Sequence, residues 1–532
     1  YTTGFTSSGD GGHGRWKQNG VTGQTPSQSP AQLLNGLLND AGGNQWALVR
    51  SGKVNVRQVG AIGDGVADDT VAIQAAFNTL SSVYIPRAAA HYRITAAITL
   101  VSGQFVDGDG EASELRQFTE SAYVISGTSV TNCKIQNISI YCEDVSGSAT
   151  NGSAGIGLIN SSFNAITQCL FQNQRNAGVL LFRSSDCLIS GNTFINSAVD
   201  GTETDNTELG LDISVIYSSS RNIITENKIN SGNGTGIGIN SIDSLSNADD
   251  NVISNNVISN CVVYGIHNYR NGIGPSDAFT VKRNVISGNT IKNVSGNIIN
   301  ITTGTYTFGS GIYMQGAEDC IVTGNSVKNT HSAAVTFATT LVPAGIGVTN
   351  SSRVTVSNNR IDEDGSAGIW IDDSNGYGEL LGYGIISNNS VMNIAGQGIR
   401  GLNRGRLTIT DNVVDTTSSF GISIGNTSAF SDISISGNKL RNVSNTAIDV
   451  DFCDGISADG NTVDTASVHG ISVANSTNAS VVNNLVFNQT SRGITILSST
   501  AGCRVSDNKI IGTGSSLSGI ALFTRVSLGE NV

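Results

Sequence analysis

The chain is short of charge, proline, aromatic rings and methionine. Of its 532 residues 13% are charged and 6% aromatic, with 5 prolines and 2 methionines. With 64 glycines against 5 prolines, the chain is not an ordinary α/β enzyme. Disorder is excluded too, because 38% of the residues are apolar and a disordered chain couples low hydrophobicity to high net charge. No apolar run approaches the ~20 residues that span a bilayer as a helix, so no membrane insertion is expected. The net charge of −12 disfavours nucleic acid and anionic membrane, both polyanions. The eight cysteines lie far apart with no CxxC pair, and several open apolar triplets such as "CLI" and "CIV". They are expected as free thiols on inward positions rather than disulfides or zinc ligands. No metal cluster and no cofactor motif is read.

What is abundant is a repeat. "CLISGNTF", "NVISGNTI", "CIVTGNSV", "DISISGNKL" and "CRVSDNKI" are versions of one phrase. Its asparagine falls at 192, 227, 256, 289, 325, 359, 389, 412, 438, 461, 484 and 508. A second phrase, "GIGIN", "GIYMQ", "GIWID", "GISVA", alternates with it. Each phrase is a short strand of period two. Two or three such strands per turn cannot bury their own apolar face, but stacked turns bury it continuously. The expected fold is all-β: a right-handed parallel β-helix, with asparagines passing hydrogen bonds from coil to coil. A sandwich would show recurrent two-residue hairpin turns, and none recur.

The stretch "VGAIGDGVADDTVAIQAAF" (59–77) gathers aspartates that resemble a catalytic cluster. It reads instead as a loop and an Asp N-cap leading into one amphipathic helix. Val71, Ile73, Ala76 and Phe77 are available for burial, and the helix is expected to cap the N-terminal end of the solenoid.

"VNVRQVGAIGDGVADDTVAIQAAF", "VYIPRAAAHYRITAAITL" and "GQFVDGDGEASEL" together resemble the opening of the pectate-lyase-like β-helix superfamily, particularly its phage tailspike and polysaccharide depolymerase members. "GFTSSGDGGHGRWKQNGVTG" (4–23) is similar to a tailspike neck. The resemblance covers residues 54–115 and implies three regions: a neck at 1–53 after a missing particle-binding domain, a cap and first strands at 54–110, and a β-helix at 111–532. It further implies a homotrimer, made in the bacterial cytoplasm and carried on the virion, that binds and usually cleaves a bacterial surface polysaccharide, O-antigen or capsule. The aspartates of the opening motif are structural in that family. Active residues vary among tailspikes and do not transfer by motif. Signatures of polygalacturonases and pectate lyases are incomplete: "IDDS" (371–374) and "VHGIS" (468–472) lie coils apart, and "WIDD" (370–373) lacks the histidine.

Spacing gives an independent clue to the site. Steps between ladder asparagines run from 29 to 36 residues as far as Asn359 to Asn389 (30), and from 23 to 26 beyond it. The excess is loop at about 200–385, and long loops on a rigid scaffold commonly wall a binding groove. Aligning the "GI" strands puts Asp212, Gly238, His267, Tyr313, Gly347, Trp370, Arg400, Ser423 and Asp449 in one outward column. Its neighbour holds Ser214, Asn240, Tyr269, Gln315, Thr349 and Asp372. Exposed His267, Tyr269, Tyr313 and Trp370, with Gln315, Asn240 and Arg400, suit the C–H faces and hydroxyls of sugars. Hydrolysis needs two carboxyl groups. Asp372, Asp373 and Glu379 form one candidate group; Glu208 and Asp212, with Asp243, form a second; Asp449, Asp451 and Asp454 form a third. β-Elimination, with His267 or Tyr313 as base and Arg400 stabilising charge, stays open as the rival. So does a non-catalytic trimeric adhesin.

Overall fold

In a computed structural model, the described residues are 16–18, 20–23, 37–39, 42–48, 52–79, 82–119, 123–143, 154–174, 176–195, 210–231, 234–241, 247–270, 281–295, 298–301, 304–307, 309–330, 344–363, 365–372, 383–403, 405–498, 502–512, 519–522 and 526–528. They form two compact units, residues 1–238 and 239–532.

The first unit begins with a small antiparallel sheet of Trp16–Gln18, Gln45–Leu48 and Leu37–Asn39. Three parallel ladders follow. One runs through Phe105, Lys134, Ala165, Leu188 and Ile223 as register partners. The residue after each (Val106, Ile135, Ile166, Ile189, Ile224) is buried. A second ladder stacks Leu115, Ile140, Phe171, Phe194 and Ile229 inside the coil. The rings of Phe171 and Phe194 lie 4.6 Å apart and nearly parallel. The third joins Ile98, Ile125, Ile156, Val179 and Ile213. Each fully buried side chain of this kind contributes about 1.5–3 kcal/mol relative to exposure.

The helix Thr70–Phe77 packs Ala72, Ile73, Ala75, Ala76 and Phe77 into this unit. Val71 is 46% exposed instead of buried. It sits ~200° around the helix from Ile73, so one stripe cannot take both. The cap also differs from expectation. Asp69 occupies the N-cap position, yet its carboxylate accepts from the Ile62 and Gly63 N–H groups at 2.6 and 3.0 Å. Asp68 takes the Thr70 N–H at 3.0 Å and Asp64 takes those of Val66 and Ala67, both at 2.8 Å. All three aspartates therefore hold backbone.

The second unit repeats the three-ladder plan. Ile312, Ile346, Ile369, Ile399, Ile422, Ile448, Ile471 and Ile494 form one inner column. The glycine of each "GI" phrase stands where two sheets approach. A Cβ on Gly421 would lie 2.5 Å from Leu440 Cδ2, and one on Gly493 would lie 2.5 Å from Ile510 Cγ2. The asparagine phrase has an equally local cause. Its two polar positions are a corner residue in the left-handed region, then the ladder asparagine. Asn255, Gly288, Gly324, Asn358, Asn388, Asp411, Gly437, Gly460, Asn483 and Asp507 all have φ between 55° and 66°. Asn, Asp and Gly are the residues that tolerate this conformation.

From Asn256 to Asn508 the ladder is continuous. Asn359 Oδ1 accepts from the backbone N–H and Nδ2 of Asn325 at 2.9 and 3.0 Å. Its own Nδ2 donates to Asn389 Oδ1 and to the Val322 carbonyl, both at 3.0 Å. Every ladder asparagine is buried, so these bonds satisfy groups that water cannot reach. All eight cysteines are free and buried, as their inward apolar settings suggested.

Two outcomes follow for stability. Asn359→Ala leaves the buried backbone N–H of Asn325 without an acceptor and removes the amide donor to the Val322 carbonyl and Asn389, and it is expected to cost about 2–4 kcal/mol in denaturant unfolding. Asn442→Ala, whose Nδ2 donates to Asp415 at an exposed corner, should cost less than about 1 kcal/mol. The Asp69 carboxyl is pushed up to about 6, because burial outweighs its two N–H donors. Between the unfolded value, 3.8, and about 6 the folded chain holds a proton that the unfolded chain has lost. Asp69's contribution is thus fully present below that window and is lost as pH rises through it. Melting curves of Asp69→Asn should lack this part of the slope; an unchanged slope would show that Asp69 does not titrate there.

Candidate glycan-binding face

The strands Tyr264–Arg270, Ser310–Gln315, Ala344–Thr349, Ala367–Asp372 and Gln397–Leu402 are successive parallel neighbours in the second unit. Register partners place His267, Tyr313, Gly347, Trp370, Arg400, Ser423 and Asp449 in one column. Tyr269, Gln315, Thr349 and Asp372 form the next. Both columns match the sequence alignment from 267 onward.

Asp212 does not belong to them. Its strand, Leu211–Ile216, pairs Ser214 with Leu180 and sets Asp212 beside Gly178. A Cβ on Gly178 would meet the Phe194 ring at 2.5 Å, so this register position faces the interior, and Asp212 is fully buried. The sequence alignment put it two residues out of step because "LDIS" lacks the "GI" glycine. Glu208, Asp243, Asp373 and Glu379 lie outside the described residues. Asn240 is buried, and its Oδ1 finds no hydrogen-bond partner.

The aromatic residues are clustered but not displayed on the surface as expected. Tyr313 is 3% exposed and Trp370 1%. The reason is that the rings pack on one another and on small residues. Tyr264, absent from the sequence-derived columns, stacks on Tyr313 with centroids 5.1 Å apart and planes 8° from parallel. His267 lies 4.6 Å from Tyr264, 4.7 Å from Tyr269 and 5.7 Å from Tyr313. Its "Y" opening a "YGIHNY" strand was the available signal. Tyr313 leans over Gly347, where a Cβ would come within 3.0 Å of its ring. Its hydroxyl reaches Gln315 Oε1 at 3.0 Å and Thr349 Oγ1 at 2.9 Å. Trp370 clusters with Ala344 and Ala367.

This packing sets the proton chemistry. Burial pushes the His267 imidazole down to about 3 and the Tyr313 phenol up, with Tyr269 and Asp372 adding to the latter. The Tyr264 phenol is also raised well above 10 by burial. Arg400 is half-buried; desolvation lowers its pKa and the charge of Asp372 opposes that. Asp449, further along the same column, is raised by burial and by Asp451, against a hydrogen bond from Ser472. Several buried polar atoms on this face have no hydrogen-bond partner: His267 Nε2, Trp370 Nε1 and Gln397 Oε1. Among the described residues no group of three His, Cys, Asp or Glu is placed to hold a metal ion.

Comparison with known proteins bears on the fold. No curated protein sequence matches this one. Among solved structures, the catalytic unit of a thermostable GH87 α-1,3-glucanase from Streptomyces thermodiastaticus strain HF3-3 is similar over 90% of this chain and 74% of its own, with 14% identity and a TM-score of 0.40. The Dettilon tailspike protein is similar over 65% and 68%, with 17% identity and a TM-score of 0.43. PfbA, a surface adhesin of Streptococcus pneumoniae, is similar over 80% and 91%, with 14% identity and a TM-score of 0.45. The sequence itself matches the family described as right handed beta helix region over residues 117–308, 244–381, 291–432 and 382–531. These overlapping stretches run through all the asparagine-phrase coils, and the chain belongs to the right-handed β-helix family.

Proposed function

We propose that this chain binds and hydrolyses a bacterial surface polysaccharide along the face formed by the strands between Tyr264 and Leu402. The observation that carries this function is the cluster of aromatic rings at Tyr264, His267, Tyr269 and Tyr313. Folded proteins satisfy nearly all buried polar groups, so His267 Nε2, Trp370 Nε1 and Gln397 Oε1 beside the ring cluster fit a surface completed by a ligand, although unpartnered atoms also occur elsewhere, as at Ser139 and Gln489. The half-exposed rings of His267 and Tyr269 suit sugar C–H faces, with buried Tyr313 packed behind His267 and Trp370 further along the column, and Gln315, Thr349, Asn240 and Gln397 suit hydroxyls. The resemblance of residues 54–115 to tailspike openings supports a homotrimer attached to a phage particle as its setting.

Hydrolysis is favoured over elimination by the state of the candidate bases. An imidazole held near 3 is too weak a base at neutral pH, and a phenol pushed above its ordinary value stays protonated. Carboxyl groups are then the better agents. Asp372 is one, next to Thr349 in register and close enough to Arg400 and Tyr313 to shift both. Asp373 and Glu379 are the proposed sources of the second. A pair ~5–5.5 Å apart would retain anomeric configuration, and one ~6.5–9.5 Å apart would invert it.

Digestion of purified O-antigens and capsules, followed by reducing ends and by ultraviolet absorbance of unsaturated uronate, tests this directly. Reducing ends without the absorbance are expected, and Asp372→Asn should lower the rate by at least about 100-fold while binding persists. Tyr313→Ala, which removes the ring over Gly347, should weaken binding by about tenfold. Absorbance rising with the reducing ends would replace hydrolysis by elimination. Binding without chain shortening would leave an adhesin.

A further inference from the structure

Several arginines elsewhere on this chain find carboxylates. Arg116 pairs with Glu114 and Glu143, Arg283 with Asp249 and Asp250, and Arg353 with Glu318 and Asp319. Apart from Arg116–Glu114, which lies within one strand, these pairs join one turn to the next. Arg400 is different. It is half-buried, and the charge of Asp372 acts on it, but among the described residues no carboxylate lies in ion-pair contact with its guanidinium. Asp372 acts on it through space, so the donors of the guanidinium fork stay available to an incoming anion.

Two further polar groups beside it are unpartnered. Trp370, the register partner of Arg400 on the preceding coil, is 1% exposed and its Nε1–H has no acceptor. Gln397 lies three residues before Arg400 on the same strand, and its buried Oε1 has no donor. One fork of cationic donors, one neutral donor and one acceptor thus stand together on two neighbouring strands. We propose that this trio holds an acidic sugar of the glycan, with Arg400 and the Trp370 N–H taking its carboxylate and Gln397 Oε1 taking a hydroxyl.

This proposal rests on the polysaccharide function above and narrows it to glycans that carry carboxylates. A planar carboxylate matches the guanidinium fork with two parallel bonds. Phosphate or sulfate fits less well, because the outward register neighbours of Arg400 and Asp372 are Ser423, Leu402, Thr349 and Trp370, none of them a second cation. Asp372 adds a negative charge instead. With a net charge of −12 the chain repels a polyanion at long range, so recognition has to be local. Added salt then screens the repulsion more than the half-buried contact.

The test uses Trp370 as its own reporter, in a chain carrying Trp16→Phe and Trp46→Phe so that no other indole is present. Glucuronate, glucose and inorganic phosphate are titrated while Trp370 fluorescence is followed. A saturable change with glucuronate is expected, at least about tenfold weaker with glucose, and lost in Arg400→Met but partly kept in Arg400→Lys. In parallel, polysaccharides that the chain binds are compared with their carboxyl-reduced forms, which should bind about tenfold more weakly. Equal responses to glucuronate and glucose, a stronger response to phosphate, no response to glucuronate, or an unaffected Arg400→Met protein of unchanged melting temperature would overturn the proposal. Cleavage confined to neutral polysaccharides would overturn it while leaving the function above in place, and failure to bind any glycan would remove both.

Discussion

The stacking of one coil on the next governs everything else in this protein. A single coil of two dozen residues has no interior of its own; its isoleucines and valines are buried only by the coils on either side. Backbone ladders set the spacing, and the asparagine column locks the register, since each side chain accepts from the coil before it and donates to the coil after it. A one-residue slip would turn an inward Ile outward and break two buried hydrogen bonds at once. The corner residue ahead of each asparagine serves the same end, turning the chain through a left-handed conformation so that the amide enters the coil.

Because the inward side of each strand is held so tightly, variation is confined to the outward side. The face between Tyr264 and Leu402 uses that freedom. Gly347 gives the Tyr313 ring a place to lie, and Ala344 and Ala367 do the same for Trp370. Small residues in one coil therefore position large ones in the next. The result is a set of rings ordered by the scaffold.

Burial then decides which groups can carry protons or charge. The same packing that orders His267 and Tyr313 moves both away from the range in which they act as bases. Arg400 keeps its charge but lies where water is partly excluded, so an anion meeting it there is held more strongly than one at a paired arginine.

Much of this was legible in the amino-acid order. The repeat of the asparagine phrase determined the β-helix, because only a parallel stack places an identical polar residue at an equivalent corner of every turn. The columns from His267 to Asp449 were also readable, since period-two alternation survives wherever the "GI" glycine marks the phase. At "LDIS" that mark is missing, and Asp212 fell out of step into the interior. What the tertiary structure alone decided was exposure and partnership. Alternation says which side of a strand a residue leaves from, but not what it meets there. Tyr264 joining the cluster, Trp370 closing on Ala344, Tyr313 closing on Gly347, and Arg400 standing beside Trp370 all depend on contacts between coils 26 or more residues apart in sequence. Local sequence carries no record of those contacts.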